Sequence, residues 1–161
     1  MTKYCNSASG KGYRLYLNTG TVPVPVWVEI VEAQDIDFSF KPDKIETPQR
    51  SSKYKLYDHG QIEALITFTM TRRRGSTNVA HFYEATQDDC AWEYFLADGD
   101  ITQSGTYTGA RGGFKAFDAS SSFPLNDQAT MAIELATSYF EDAGSPGVEV
   151  VLDPEASLVV P

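Results

Sequence analysis

The sequence predicts a mainly β protein, an antiparallel β-sandwich or barrel with one flanking α-helix, a long inter-strand loop and terminal arms. Three observations predict it. Apolar residues alternate with polar ones over long stretches, the period of strands packed on one face only, as in antiparallel sheets. A single segment switches to the helical period. A chain of 161 residues with 42% hydrophobic and 22% charged residues is ordinary material for one globular domain.

Gln61–Thr71 carries the clearest alternation. Ile62, Ala64, Ile66, Phe68 and Met70 share one face and Glu63, Thr67, Thr69 and Thr71 the other, with Leu65 alone out of phase. Thr130–Phe140 repeats the pattern, with Met131, Ile133, Leu135 and Tyr139 opposite Ala132, Glu134, Ala136 and Ser138. Shorter strands are expected at Tyr13–Leu17, Val26–Glu32, Ile36–Lys41, Tyr54–Tyr57, Ala91–Ala97, Thr106–Ala110, Gly113–Asp118 and Val148–Leu152. Gly109-Ala110-Arg111-Gly112-Gly113 then reads as a hairpin tip. In Asn78–Asp89, an N-cap at Asn78 precedes Val79, Phe82, Tyr83 and Thr86 at helical spacing, an amphipathic helix docked on the sheet. Arg72-Arg73-Arg74-Gly75 marks the turn before it.

Two regions lack the core pattern. Residues 41–60 (KPDKIETPQRSSKYKLYDHG) hold two prolines, many charges and few apolar residues, a loop too long to be a mere connection. Residues 144–161 read as a C-terminal arm and residues 1–25 as an N-terminal arm, within one domain spanning 1–161. Proline-stiffened Thr21–Pro25 leads into Trp27.

Charge narrows the function. Thirteen Lys and Arg against 22 Asp and Glu give −9, unlike a domain that grips phosphates. No apolar run is long enough to cross a membrane as a helix, and no signal-peptide pattern opens the chain, so synthesis in a reducing cytoplasm is expected. His59 and His81 have no partners at metal-ligand spacing, and Cys5 and Cys90 form no disulfide or zinc pattern. Cys90, beside Trp92, reads as a buried structural thiol. Gly10-Lys11-Gly12 lacks the spacing of a phosphate loop, and no nucleophile elbow appears. No catalytic residue, cofactor or metal is expected, and the chain reads as no enzyme. Arg72, Arg73 and Arg74 form the one concentrated positive site; they suit either a docking patch for carboxylates of another copy or a solvated strand end.

The order of these elements resembles the tail tube (major tail) protein family of long-tailed bacteriophages. The residues that carry the likeness are Val26-Trp27-Val28-Glu29-Ile30, Ile36–Phe40, the step Arg50-Ser51-Ser52-Lys53-Tyr54-Lys55-Leu56-Tyr57-Asp58-His59-Gly60 into Ile62–Met70, the helix, and Phe114–Leu125 leading into Thr130–Phe140. The likeness covers about Val26 to Tyr139. It implies six copies in a ring whose inner wall is a continuous β-barrel, rings stacked into a hollow virion tube, a tape-measure protein in the bore, and tail terminator and distal tail proteins at the ends. The resemblance also implies that DNA passes through the bore without specific binding. The implied inter-ring loop is 41–60, making Lys41, Asp43, Lys44, Arg50, Lys53 and Lys55 candidate interface residues together with Arg72, Arg73 and Arg74.

If Gln61–Thr71 is bore wall, Glu63, Thr67 and Thr69 face the channel. With charge spread evenly, a ring would carry 6 × (−9) = −54. Remaining alternatives are a capsid-decoration or tail-completion protein, the tube of a contractile injection system, a barrel that binds a ligand or glycan through Trp27, Trp92 and the tyrosines, and an enzyme with a carboxylate pair on the sheet, which alternating Asp and Glu of solvated strands do not support.

Overall fold

The computed structural model describes residues 12–47, 55–88, 90–138 and 152–161. The elements run β1 (Arg14–Asn18), β2 (Trp27–Glu29), β3 (Ala33–Glu46), β4 (Tyr57–Thr71), α1 (Thr77–Gln87), β5 (Trp92–Ala97), β6 (Gly105–Ser122), β7 (Thr130–Thr137) and β8 (Asp153–Val160). Neighbours pair antiparallel in the order β2-β1-β5-β6-β7-β4-β3, and β8 also pairs with β6. The mainly β, antiparallel, one-helix architecture is the one the periodicity predicts.

Strand β6 organises the rest. Its 18 residues serve β8 through Gly105–Arg111, β5 through Gly109–Phe114 and β7 through Phe114–Ser122. One strand therefore joins an outer half, β2-β1-β5-β6-β8, to a four-stranded half, β6-β7-β4-β3. The glycines at 109–113 lie inside this strand and are not the expected hairpin tip, so the two strands expected there are one. A Cβ on Gly109 would sit 1.7 Å from the Leu96 carbonyl oxygen, so close backbone approach, not a turn, requires glycine.

The main core draws on both halves: Leu15 and Leu17 of β1, Ile66, Phe68 and Met70 of β4, Tyr94 and Leu96 of β5, Phe114 of β6 and Leu135 of β7. Helix α1 closes it with Val79, Phe82 and Ala85. The Phe82 ring meets Phe68 edge-on at 5.5 Å and stacks on Tyr94 at 6.3 Å. A second cluster on the other face of the outer half holds Tyr16, Phe95, Ala97, Ile101 and Ala156. Burial on both faces explains why β1 and β5 alternate poorly in sequence.

Several expectations move. Half of residues 41–60 is strand rather than loop: β3 runs on to Glu46 and β4 begins at Tyr57, with Lys41↔Glu63 and Glu46↔Tyr57 paired, while residues 48–54 lie outside the described residues. A ribbon extending past the core is wetted on both faces and leaves no alternation to read. Ile62, at the start of this projection, is 56% exposed although it lies in the apolar phase. The C-terminal arm is corrected too, because Asp153–Val160 pairs with β6 of the same chain. Likewise Arg14–Asn18 of the expected N-terminal arm is a central strand. The helix starts at Thr77 with Ser76 in the cap position, one turn residue after Gly75, whose φ of 79° needs glycine. Cys90 is exposed, not buried. Cys5, Tyr54, Tyr139, Phe140 and the expected strand at 148–151 lie outside the described residues.

Two polar contacts pin α1. Glu32 is buried and accepts hydrogen bonds from Ser76 Oγ at 3.0 Å and Asn78 Nδ2 at 2.5 Å. Burial alone would raise its carboxyl, but these hydrogen bonds, its own amide and the charge of Arg73 bring it below the ordinary value. His81 shares a 3.1 Å hydrogen bond with Tyr94 Oη and stands edge-on to Trp92 at 4.9 Å. Burial lowers its imidazole, with Glu84 partly opposing.

Two outcomes follow from this packing. Phe68 is 3% exposed, so Phe68→Asp puts an unpaired carboxylate in the core at a cost comparable with a whole domain's stability of about 5–15 kcal/mol; circular dichroism of that variant should show no cooperative melt, while Glu63→Gln should melt within about 0.5 kcal/mol of the parent. Both Glu32 and His81 bind protons more weakly folded than unfolded, so each contribution is full above its unfolded pKa and lost as pH falls. Tm should therefore begin to drop as pH passes below about 6.5, the unfolded imidazole value. The His81→Gln variant should flatten the pH 7 to 5.5 segment, and an unchanged slope would refute the assignment.

Candidate assembly surface

The four-stranded half presents its packed face to the core and its other face to solvent. Strand register sorts that outer face into rows. Asp37, Thr67, Glu134 and Asp118 lie side by side across β3, β4, β7 and β6. Toward the C-terminal end of β4 the next row is Gln34, Thr69, Ala132 and Ser120. Toward its start come Ser39, Leu65, Ala136 and Lys115, then Lys41 beside Glu63. Asp37, Asp118 and Glu134 are all exposed. Placing Glu134 directly beside Asp118 works against the sheet by a few tenths of a kcal/mol. A β-bulge between Gln34 and Asp37, where Asp35 takes φ 51°, and another at Phe117 set these rows in line.

The edges of this half are open. Among the described residues no strand pairs with the outer edge of β3, nor with β6 beyond Phe114 on the side away from β7. Unpaired strand edges are ready to take another strand. The projecting ribbon of β3 and β4 adds exposed Ile45, Leu56, Tyr57 and Ile62. It is held by Thr47 Oγ1 donating to Asp58 at 2.8 Å and by an exposed Lys55–Glu46 ion pair at 3.4 Å, the latter worth little.

Beyond the C-terminal end of β4 the arginine triplet splits by role. The Arg72 guanidinium lies between the Tyr83 ring at 5.6 Å and the Phe123 ring at 4.9 Å, so it is neither a bare docking cation nor a solvated strand end. Arg73 acts on Glu32, while Arg73 and Arg74 remain exposed beside a recess lined by Gly75, Val79 and Ala129.

In the outer half, Glu93 is 2% exposed, accepts from Arg111 Nε at 2.6 Å and from Asn18 Nδ2 at 2.5 Å, and Arg111 lies 5.3 Å over the Trp27 ring. Asn18 Oδ1 in turn accepts the Gly20 and Val26 amides, closing the loop before β2. Trp27 packs on Phe95 at 5.6 Å and under Arg111, and Trp92 stands edge-on to His81, so both indoles are packed side chains.

The sequence-derived candidates divide accordingly. Glu63, Thr67 and Thr69 share the solvent face, as their phase predicts. Lys41, Asp43 and Lys44 lie on the exposed ribbon of β3, and Lys55 just before β4. Arg50 and Lys53 lie outside the described residues. Sequence reasoning missed the row of Asp37, Asp118 and Glu134 as a unit. Their polar phase was visible, but a row across four strands exists only in the register. Among the described residues no three His, Cys, Asp or Glu side chains gather to hold a metal ion.

No model of a known protein family matches the chain, and no curated protein sequence matches it significantly. Solved structures do match. A protein from the tail of an empty gene transfer agent particle, determined with C6 symmetry, superposes with TM-score 0.65 at 15% identity over 93% of this chain and 100% of that one. The SPP1 tail tube gives TM-score 0.68 at 10% identity, covering 95% of this chain and 81% of that one. An extracellular contractile injection system, in its PVC sheath–tube complex, gives TM-score 0.60 at 13% identity over 97% and 94%. The chain has the fold found in these tail and injection-system structures.

Proposed function

We propose that the chain is a structural tail tube protein: six copies close into a ring, rings stack, and the resulting tube carries DNA during infection. One observation carries this reading. The four strands β6, β7, β4 and β3 alternate in direction, so β3 and β6, the two open edges, run antiparallel to each other. A rotated copy can therefore continue the ladder without a break, and six copies close a barrel of 6 × 4 = 24 strands with no edge left. The packed face then points outward to its own core, and the face bearing Glu63, Thr67, Thr69 and the Asp37–Asp118–Glu134 row lines the bore. The gene transfer agent tail of similar fold has the symmetry this closure needs. The role is structural rather than enzymatic, the location the virion tail after assembly in host cytoplasm, and the bore takes a tape-measure protein before DNA. The projecting ribbon and Arg74 meet the neighbouring ring.

The tube of a contractile injection system is the second reading, favoured by the match to the sheath–tube complex. A tube that binds a sheath subunit along its outside would select it.

Electron microscopy of the purified protein at high concentration, alone and with tail-tip components, should show hollow tubes with a regular axial repeat. Particles that stay monomeric under both conditions would overturn the reading. In tubes carrying Glu134→Lys with Thr67→Lys, DNA should co-sediment at low salt and be released by about 0.5 M salt, whereas parental tubes should retain none.

A further inference from the structure

The edges of β3 and β6 also fix how far one copy is slipped against the next. We infer that Lys41 of one copy sits directly opposite Asp118 of its neighbour across the ring seam, an inference that rests on the ring reading above.

Handedness comes first. Thr71, on the solvent face, donates its N–H to Glu32 at the start of β3, and Arg72 donates to Ala129 just before β7. In an L-chain running upward, a residue pointing at the viewer directs its N–H and C=O to the right. Seen from the packed face with β4 ascending, the order left to right is therefore β3, β4, β7, β6. The next copy follows on the right, beginning with its β3.

Slip comes next. Strands of a closed barrel lean to the right as they rise, viewed from outside, because strand twist is right-handed. Each row consequently descends to the right, and a row leaving β6 reaches the neighbour's β3 at a position nearer the hairpin. Faces must match, so the slip per copy is an even number of residues. With strands about 4.8 Å apart and about 3.3 Å per residue, slips of 2, 4 and 6 residues over four strands give tilts of about 19°, 35° and 46°. Barrels lie at roughly 35–45°.

Charge then selects one register. A slip of about two residues sets Lys115 against the neighbour's Lys41, with too little tilt. A slip of about six sets Asp118 against the neighbour's Asp43. A slip of about four sets Asp118 against Lys41, as a non-hydrogen-bonded pair whose side chains are close. It also sets Ala119 and Ser121 against Phe40 and Phe38 in ladder positions. Finally, it places Pro42, which has no N–H to offer on that open edge, against the bulge residue Phe117, so no ladder bond is forfeited. Charge, tilt and the proline choose the same register, and the resulting barrel is about 45 Å across between opposite backbones.

Cysteine pairs test it in assembled tubes made with Cys5→Ser and Cys90→Ser. Oxidised tubes with Lys41→Cys and Asp118→Cys should run as a ladder up to the hexamer on a denaturing gel. Tubes pairing Asp118→Cys with Ser39→Cys or with Asp43→Cys should stay monomeric there. Both positions are exposed, so folding is unaffected, and Lys41→Glu should lose assembly by at least tenfold in tube yield, restored when Asp118→Lys is added. Tubes that cross-link through Ser39 or Asp43 instead overturn the register while keeping the ring. A parental chain that never forms tubes overturns the ring reading itself.

Discussion

Backbone hydrogen bonding along two open strand edges is the constraint on which the molecule depends. Every buried N–H and C=O needs a partner, and an edge strand offers a row of them to any passing strand. Strand β3 extends over 14 residues and cannot be short enough to be harmless. Its outer edge instead carries Lys41, Pro42 and Lys44 and two register breaks, devices that resist indiscriminate pairing. An edge guarded in this way accepts a partner with matching charges and a matching irregularity, and rejects a slipped copy of itself. On the proposed ring reading, self-assembly and resistance to aggregation would come from the same residues.

The shared strand β6 makes that edge mechanically useful. Its first part is locked between β5 and β8, and its last part is an edge that no other strand pairs with among the described residues, the one a neighbour would take on the proposed ring reading. Gly109 lets β6 press against Leu96, and buried Glu93 ties Arg111 of β6 to Asn18 of β1. Breaking one member of such a buried charged pair is far more damaging than the pair itself is stabilising. If β6 forms a seam in a tube, as proposed above, a load on it would be carried into the outer half rather than peel β6 away, which is what a wall under internal passage requires.

Where one face of a strand is packed and the other wetted, the sequence was transparent: β4 from Ala64 to Met70 and β7 from Met131 to Leu135 follow their apolar phase residue by residue. Legibility failed wherever burial was not one-sided. The ribbon beyond Phe40 is wetted on both faces and read as a loop, and β8 hid in a segment whose polar and proline content suggested an arm. The run at 109–113 misled because glycine serves close approach as well as turns. The acidic row was illegible for another reason: Asp37, Asp118 and Glu134 are far apart in the chain, and two bulges decide that they align.

On the tube reading proposed above, the register also sorts the charge by surface. The solvent face of these four strands holds Asp37, Asp43, Glu63, Asp118 and Glu134 against Lys41 and Lys115, a balance of 2 − 5 = −3 per copy. Six copies would give 6 × (−3) = −18, against −54 for six whole chains, so most of the negative charge belongs to other surfaces. A strongly negative lining would oppose both ring closure and entry of DNA, and a positive one would trap phosphates. On that reading, a weak excess concentrated in one band, with Lys41 at the seam to pair across it, would repel a duplex within about 8–10 Å of the wall yet let the copies meet. The few tenths of a kcal/mol lost by setting Glu134 beside Asp118 would, in such a tube, be the cost of keeping the bore non-adhesive.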